Sequence, residues 1–398
     1  MKNYSDKGLI GACLEIKNNN YGSMLQSFAT QKVLDEYGFK YELLDYKKKY
    51  SLPFILKSMP RLLNKVIWQE KINVNQKKRF LKKHPELQRE VEERANKYKK
   101  FRNKYFKAPV KTYYGYDELK KQSNKYSAFI TGSDQLWSPS GLPTNFYNLM
   151  FTYEEAIRIS YASSFGVKSI PWYQKNRTKA FLNRIQFISC REQTGSEIVK
   201  KLTDRDVPVV ADPTMLFDGN EWKNMLPCKR VQEGQYIFSY ILGTNKKYRE
   251  EVRKLSKKTG LPVVSIHQYV DADLGFGDVS ITDAGPEEFI DLIRNAEYIC
   301  TDSFHGSVFS ILFHKRFVVF NRYSEKSSSS KNTRIENLCA RLGLDNRKFS
   351  GDITKDMNEE IDYSVIDSKI KTIRNESRIY LEKAFDSIER NGGNNGKR

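Results

Sequence analysis

Cysteine and histidine are scarce in this sequence. Its five cysteines are an odd number, no two of them form a Cys-x-x-Cys pair, and only four histidines accompany them. The common zinc-binding spacings are therefore excluded, and the pattern indicates reduced thiols rather than a disulfide framework.

Long apolar runs are also missing. No stretch of about 18 uncharged apolar residues occurs, so the sequence predicts no membrane-spanning helix. Residues 8–14 form a short apolar run, and no cleavage-site pattern follows a charged first region there. This run predicts a strand rather than a signal peptide. Together these features favour a cytoplasmic protein.

Acidic residues are too few to balance the basic ones. The chain has 68 Lys and Arg against 48 Asp and Glu, a formal net charge of +20. Most of the excess lies in residues 47–111, which hold 21 basic and five acidic residues. A local basic region is typical of a docking surface, whereas a nucleic-acid groove would spread the charge along the chain. No nucleic-acid partner is therefore expected.

Two interpretations of the basic segment stay open. Residues 50–68 mix apolar side chains with lysine, arginine and tryptophan, which suits the interface of an anionic membrane. On this view residues 50–107 make peripheral contact with the inner membrane surface, and the cytoplasmic protein is membrane-associated. The alternative is an amphipathic pair of helices that packs on its parent domain and turns a basic face to solvent.

The length of 398 residues exceeds what one hydrophobic core usually supports, so two domains are expected. Short apolar strands alternate with helical segments in both halves, which predicts an α/β fold with parallel sheets. The predicted strands include residues 187–190, 207–210 and 263–266, and the predicted helices include residues 286–295. In the first helix, over residues 24–37, apolar positions 25, 28, 29, 33 and 34 form one face. The predicted organisation is an N-terminal Rossmann-like domain over residues 1–215 and a second such domain over residues 216–375. The first domain contains a basic helical insert over residues 47–111. Residues 376–398 are the end of a terminal helix and a flexible tail.

A run near the end of the chain combines an anion-binding turn with a titratable group. A predicted strand over residues 298–300 leads into Thr301-Asp302-Ser303-Phe304-His305-Gly306, and a predicted helix follows. Ser303 suits the N-cap, Gly306 lets a ligand approach the backbone, and the free N–H groups of the helix attract an anion. His305 is the only side chain of the turn that exchanges a proton near neutral pH. The alternative is a capped turn with a packed histidine.

Three further residues follow predicted strands. Arg191 comes directly after the strand over residues 187–190, where its guanidinium suits a carboxylate or phosphate, or else pairs with Glu192 at the surface. Asp134 either caps the following segment or orients a sugar hydroxyl. Trp137 is either a core residue or a platform for a sugar.

Several of these segments together resemble the polysaccharide pyruvyl transferase family over about residues 8–345. The resemblance lies in Asn20-Tyr21-Gly22-Ser23-Met24-Leu25-Gln26, Gly132-Ser133-Asp134-Gln135-Leu136-Trp137, Ser160-Tyr161-Ala162-Ser163-Ser164-Phe165-Gly166, Arg191-Glu192, Asp212-Pro213-Thr214 and Thr301-Asp302-Ser303-Phe304-His305-Gly306.

The resemblance implies two Rossmann-like domains in a GT-B-like arrangement. It implies phosphoenolpyruvate as the donor, and a sugar of a cell-surface polysaccharide or of a lipid-linked oligosaccharide precursor as the acceptor. The family's histidine maps onto His305, and Asp134 is the second candidate catalytic residue. The candidate substrate-binding residues are Asn20, Tyr21, Gly22, Gln26, Ser133, Gln135, Trp137, Arg191, Ser303, Phe304, Gly306, Asn321, Arg322, Lys331 and Arg334.

The residues suit this chemistry. Forming a pyruvate ketal requires protonation of the enol carbon, attack by two sugar hydroxyls in turn and loss of phosphate. His305 would supply or relay the proton, while basic side chains hold the donor's carboxylate and phosphate: Arg191, Arg322, Lys331 or Arg334. This account needs no metal and no cofactor. Two alternatives stay open, namely a GT-B glycosyltransferase that uses a nucleotide sugar and a non-catalytic protein that binds glycan or nucleic acid.

Overall fold

Two parallel β-sheets form the framework of the protein, for which the computed structural model describes residues 2–322 and 332–388. The strands of the first sheet are β1 (Ile10–Cys13), β2 (Tyr41–Lys47), β3 (Val110–Tyr114), β4 (Ala128–Thr131), β5 (Ile157–Ser163) and β6 (Phe187–Cys190). Those of the second are β7 (Ile237–Tyr240), β8 (Val263–Ile266), β9 (Val279–Ile281), β10 (Tyr298–Thr301) and β11 (Arg316–Val319).

Helices connect the strands of both sheets. In chain order they are α1 (Tyr21–Glu36), α2 (Leu52–Ser58), α3 (Lys65–Lys83), α4 (Gln88–Tyr105), α5 (Tyr116–Gln122), α6 (Lys175–Arg184), α7 (Gln193–Thr203), α8 (Gly219–Met225), α9 (Lys246–Thr259), α10 (Pro286–Asn295), α11 (Phe304–Leu312), α12 (Thr333–Leu342), α13 (Ile353–Asn358) and α14 (Tyr363–Asp386).

Both sheets have a Rossmann-like strand order. The first runs β3-β2-β1-β4-β5-β6 and the second β9-β8-β7-β10-β11, and neighbouring strands are parallel throughout. The order reverses between β1 and β4 and again between β7 and β10, which opens a crevice at the carboxyl ends of these strands. Ligands of open parallel sheets bind at such switch points. The prediction of two Rossmann-like α/β units is confirmed.

The structure corrects the predicted elements in three places. Residues 207–210, predicted as a strand, form only an isolated bridge between Val209 and Cys190, because Pro208 has no N–H to donate to a ladder. The predicted insert over residues 47–111 overlaps β2 at one end and β3 at the other. Strand β9 has no counterpart in the prediction. Since β3 and β9 are edge strands with exposed positions, neither has the continuous apolar run of a central strand.

Helix α1 lies between the two halves of the molecule, and nearly all of its side chains are buried. Its apolar stripe, predicted at positions such as Leu25 and Phe28, is present. Its polar face is buried as well, because the second half of the chain covers it. Tyr21 stacks on Phe289 of α10 with ring centroids 4.5 Å apart, and its hydroxyl donates to the Ala284 carbonyl at 2.7 Å.

The terminal helix α14 returns to the first half of the chain. Ser377 Oγ accepts a hydrogen bond from the Ala211 N–H at 2.8 Å, and the Tyr380 hydroxyl donates to the Ser160 carbonyl at 2.9 Å. The predicted domain limits of 1–215, 216–375 and 376–398 stay predictions. Of the predicted last segment, residues 376–388 are described and contain the end of α14. The flexible tail predicted after them lies outside the described residues.

The basic helical insert consists of α2, α3 and α4, and α4 holds it to the second half of the molecule. Lys97 Nζ pairs with Asp283 at 2.8 Å and with Glu288 at 2.6 Å. Tyr98 and Phe101 of the same helix are buried. They also pack on α1, Tyr98 against Tyr21 and Phe101 against Phe28, so packing on the parent domain, one of the two predicted interpretations, applies to α4. No helix among the described residues is both long and apolar enough to cross a bilayer.

Candidate active site

The loops after β1, β4 and β10 meet between the two sheets, where the N-terminal ends of α1 and α11 face each other. Gly22 in the first turn of α1 lies directly against His305 in the first turn of α11. A Cβ atom at Gly22 would be only 2.0 Å from His305 Nδ1. Glycine is therefore required at this position for the two halves to approach so closely.

The turn before α11 is built as the sequence predicts. Ser303 has extended backbone, and its Oγ accepts the Gly306 N–H at 3.2 Å, which is an N-cap interaction. The whole of α11 is buried, and His305 is 6% exposed. The helix thus directs its free N–H groups and one imidazole into the crevice between the sheets.

Asp212 is the centre of the hydrogen-bond network. Its Oδ2 accepts from Ser133 Oγ at 2.7 Å and from Arg191 Nη1 at 2.9 Å, and it lies 3.6 Å from His305 Nε2. Its Oδ1 accepts from the backbone N–H and the hydroxyl of Thr214. Burial alone would raise the pKa of Asp212, but the charges of His305 and Arg191 and these hydrogen bonds lower it far below its usual value. Asp212 is thus a carboxylate that links the guanidinium to the imidazole.

The segment Asp212-Pro213-Thr214 contributes to the family resemblance, but no role was predicted for Asp212. The signal was an aspartate directly after an extended apolar segment, which is a common position for site residues in parallel α/β folds. Its contacts come from three separate loops, so they are visible only in the folded protein.

Arg191 is almost fully buried, with 2% of its side chain exposed. Its Nε lies 3.6 Å from Glu192 Oε2 and its Nη2 lies 4.0 Å from Asp134 Oδ1. The guanidinium carbon sits 4.4 Å from the centre of the Phe304 ring, a cation–π contact. Glu192 is buried too, so the alternative of a surface ion pair is excluded.

Arg334 approaches the same phenyl ring, with Cζ 5.9 Å from its centre. Burial and the nearby charge of Arg191 lower the pKa of Arg334 to about 10. Among the described residues, Arg191 Nε and Nη2 and Arg334 Nε are buried without a hydrogen-bond acceptor. Two guanidinium groups with spare donors beside one ring form a cradle for an anion. They line a cavity of about 960 Å³, together with Asp212 and Phe304.

Asp134 follows β4 with a positive φ of 78°, and it forms a short hydrogen bond with the Ser23 hydroxyl of α1. Burial alone would raise the pKa of Asp134, but Arg191, His305 and Ser23 lower it. A carboxylate that stays ionised is a good hydrogen-bond acceptor and a weak base. Asn20, which caps α1 by accepting the Ser23 N–H at 3.1 Å, is exposed beside it.

Other predicted contacts lie beneath this surface and support its loops. Ser133 and Gln26 are completely buried, and Gln26 Nε2 donates to the Ser23 carbonyl at 3.0 Å. Trp137 is 6% exposed and packs between aromatic side chains, with its Nε1 donating to the Tyr147 carbonyl at 3.1 Å. Gln135 packs on Gly166. Trp137 therefore occupies a core position, while contact of these residues with substrate stays a prediction.

Arg322 lies near the switch point of the second sheet, between β7 and β10. Asp302 bridges the ends of β7 and β10 by accepting the backbone N–H groups of Leu242 and Gly243, each at 2.8 Å. Arg322 Nη2 donates to the Asp302 carbonyl at 3.0 Å and to its carboxylate at 3.2 Å. Neighbouring Asn321 is partly exposed. Lys331, the remaining predicted anion-binding residue, lies outside the described residues.

Residues of the insert that the sequence did not assign to the site also reach the cleft. Arg94 of α4 donates from Nη2 to the His267 carbonyl at 2.9 Å, and its Cζ lies 4.7 Å from the centre of the Tyr269 ring. A cavity of about 170 Å³ separates these side chains from Asn20 and Tyr21. The insert thus borders the cleft beside His305.

Gly22→Ala tests the contact between α1 and α11. The added methyl group must displace His305, whose Nδ1 would lie 2.0 Å away. A shift of about 1 Å at a catalytic group costs about 10²-fold in rate, so we expect kcat/KM to fall by about that factor. Gly141→Ala is the control, because its Cβ would meet only the Ser138 carbonyl at 3.1 Å on an exposed loop. Equal activity of both variants would contradict the tight contact.

The chain is similar to known proteins in sequence and in fold. The family model for polysaccharide pyruvyl transferase matches residues 20–324. No functionally curated protein matches the chain. A solved structure of a candidate UDP-N-acetylglucosamine 2-epimerase from Listeria monocytogenes is similar, with a TM-score of 0.51, 10% identity, and coverage of 97% of this chain and 98% of that one.

A UDP-GlcNAc 2-epimerase from Neisseria meningitidis bound to UDP-GlcNAc gives a TM-score of 0.47 at 9% identity, over 96% of this chain and 95% of that one. At 10% identity the likeness to the Listeria structure shows the fold alone, and that fold is the two-domain GT-B arrangement. The predicted GT-B-like arrangement is therefore confirmed. Because the family model covers most of the chain, the protein belongs to the polysaccharide pyruvyl transferase family and is a transferase enzyme.

Proposed function

We propose that this enzyme uses phosphoenolpyruvate to form a pyruvate ketal on a sugar of a cell-surface polysaccharide or of its lipid-linked precursor, with release of phosphate. The observation that carries the proposal is the cradle of Arg191 and Arg334. Three of their guanidinium nitrogens are buried without an acceptor, and both residues line a cavity that also borders Asp212. A small dianionic or trianionic donor fits such a site because buried guanidinium groups favour forked contacts with carboxylates and phosphates.

The proton for the methylene carbon of phosphoenolpyruvate comes from His305. When protonated, its imidazolium forms an ion pair with Asp212, whose Oδ2 lies 3.6 Å from Nε2. Protonation turns the methylene into a methyl group and leaves positive charge on the neighbouring carbon. That carbon then bonds to a first sugar hydroxyl, whose proton passes to the now neutral His305.

Loss of phosphate follows, with the electron pair of the carbon–oxygen bond leaving on phosphate. A second hydroxyl of the same sugar attacks the resulting cation, gives up its proton to the departing phosphate and closes the ketal. The guanidinium groups stabilise the phosphate as its charge develops. Asp134, kept ionised by its neighbours, accepts a hydrogen bond from a sugar hydroxyl and orients it.

The acceptor reaches the cleft from the side of α1, where Asn20 is exposed beside Asp134. The insert borders this side through Arg94. We therefore place the acceptor sugar between α1 and the insert, and we favour a lipid-linked form presented at the inner membrane surface.

Thermal unfolding with candidate ligands tests the donor. We expect phosphoenolpyruvate at about 100 times its Kd to add about 2.7 kcal/mol of stability, which raises Tm by several degrees. Pyruvate and phosphate carry only part of the donor's charge, so their shifts should be smaller. A panel of UDP- and GDP-sugars serves as the comparison. Stabilisation by one nucleotide sugar, with none by phosphoenolpyruvate, would contradict the proposal and favour a GT-B glycosyltransferase.

A further inference from the structure

Large apolar side chains are exposed mainly on one part of the insert. Of the 16 exposed large hydrophobic residues in the described chain, ten lie within residues 50–74. They are Tyr50, Leu52, Ile55, Leu56, Met59, Leu62, Leu63, Trp68, Ile72 and Val74. We call this set the apolar face. A concentration of this kind is typical of a surface that meets an apolar partner.

The apolar face is not needed to attach the insert to the rest of the protein. Attachment uses α4 and the inward side of α3, where Ile67 and Phe80 are buried. Trp68 and Ile72, four residues apart and therefore on one side of α3, are about half exposed. The helix thus has one apolar side against the protein and a second apolar side in solvent.

The charges around the apolar face are almost all positive. Residues 47–83 contain 12 Lys and Arg and one Glu, and Lys57, Lys71 and Lys78 are exposed among the apolar residues. Lys71 Nζ lies 4.8 Å from the centre of the Trp68 ring. Two copies of this surface would repel each other, so a second copy of the chain is a poor occupant.

We propose that the apolar face docks on an anionic lipid bilayer. Its leucine and isoleucine side chains enter the boundary between headgroups and acyl chains, Trp68 lies at the interface, and the lysines contact anionic headgroups. Because α4 packs against the rest of the protein, we place the docking segment at residues 50–74 rather than at residues 50–107. This inference is independent of which donor the enzyme uses.

Docking has a consequence for the enzyme. Helix α4 of the same insert borders the cleft, since Arg94 and Tyr98 line a cavity together with Asn20 and Tyr21. A bilayer bound at the apolar face would thus contact the same insert that borders the proposed acceptor side of the cleft.

Vesicle sedimentation of the full chain tests the proposal. Vesicles of phosphatidylcholine with about 30 mol % phosphatidylglycerol are compared with phosphatidylcholine alone. The test variant is the triple change Leu52→Ser, Leu56→Ser and Leu63→Ser. The matched control removes three equally exposed apolar residues elsewhere: Trp172→Ser, Leu274→Ser and Ile379→Ser.

We expect the wild type and the control to bind the anionic vesicles and the test variant to bind about ten-fold more weakly. A second variant, Lys57→Glu, Lys71→Glu and Lys78→Glu, should lose binding to a similar extent. The Tm shift given by phosphoenolpyruvate should be the same in all four proteins, which separates this test from that of the donor site.

Equal binding by the wild type and the Leu→Ser variant would overturn the proposal, as would a wild type that binds no anionic vesicles. A dimer that the Leu→Ser changes dissociate would overturn it in favour of a second copy.

Discussion

His305→Ala is expected to lower kcat by about 10²- to 10⁴-fold with little change in phosphoenolpyruvate binding. His305 is the titratable side chain at the start of α11, and its Nε2 lies 3.6 Å from the ionised Asp212. The anion cradle of Arg191 and Arg334 does not depend on the imidazole. In the proposed mechanism, the proton source is therefore lost while the donor contacts remain.

The measurement is kcat and KM with a purified acceptor, together with the Tm shift that phosphoenolpyruvate gives. His314→Ala is the control, because this histidine is half exposed and pairs with Asp367 at the surface. We expect His314→Ala to behave as the wild type. An unchanged kcat in His305→Ala would remove His305 from the proton transfer, and a lost Tm shift would mean that it binds the donor instead.

Arg191→Gln is expected to weaken both donor binding and folding. Its Nη1 is the cationic partner of Asp212 at 2.9 Å, and both side chains are almost fully buried. Leaving a buried carboxylate without its partner costs about 3–5 kcal/mol of unfolding free energy. The forked donor contact disappears as well, so the phosphoenolpyruvate-induced Tm shift should vanish.

Two further variants separate the effects on folding and binding. Arg191→Lys keeps the positive charge, so it should recover part of the stability, but a lysine cannot form the fork and should not recover donor binding. Arg191→Gln combined with Asp212→Asn removes both charges and should also recover stability without activity. Lys201→Gln, which removes an exposed charge from the neighbouring helix α7, is the control. Chemical unfolding and the Tm shift are measured for each protein, and a normal Tm shift in Arg191→Gln would contradict its donor role.

Much of the fold could be predicted because central strands are short, apolar and bounded by polar loops. The strands at Phe187–Cys190 and Val263–Ile266 and the helix at Pro286–Asn295 have the predicted limits. The edge strands β3 and β9 were not predicted, since their exposed positions give sequence patterns like those of loops or helix faces. At residues 207–210 the apolar pattern was that of a strand, but a proline interrupted the pairing.

The candidate site could be predicted in part. The Ser303 cap, the buried His305 and the buried Arg191 lie together where loops of parallel strands were expected to meet. Asp212 received no role, because the proximity of Ser133, Arg191 and His305 to its carboxylate depends on three loops far apart in the chain. The sequence of its loop did not decide whether Trp137 is a core residue or a sugar platform. In the structure Trp137 packs among core residues.

The sequence by itself determined the repeated α/β pattern, the capped turn at Ser303 and the strong local positive charge of the insert. These properties depend on periodicity, residue type and neighbours along the chain. Only the tertiary structure decided that Gly22 touches His305, that Asp212 joins Arg191 to the imidazole, and that the apolar side chains of residues 50–74 face outward. Each of these depends on which surfaces of distant segments meet, and a one-dimensional pattern does not contain that information.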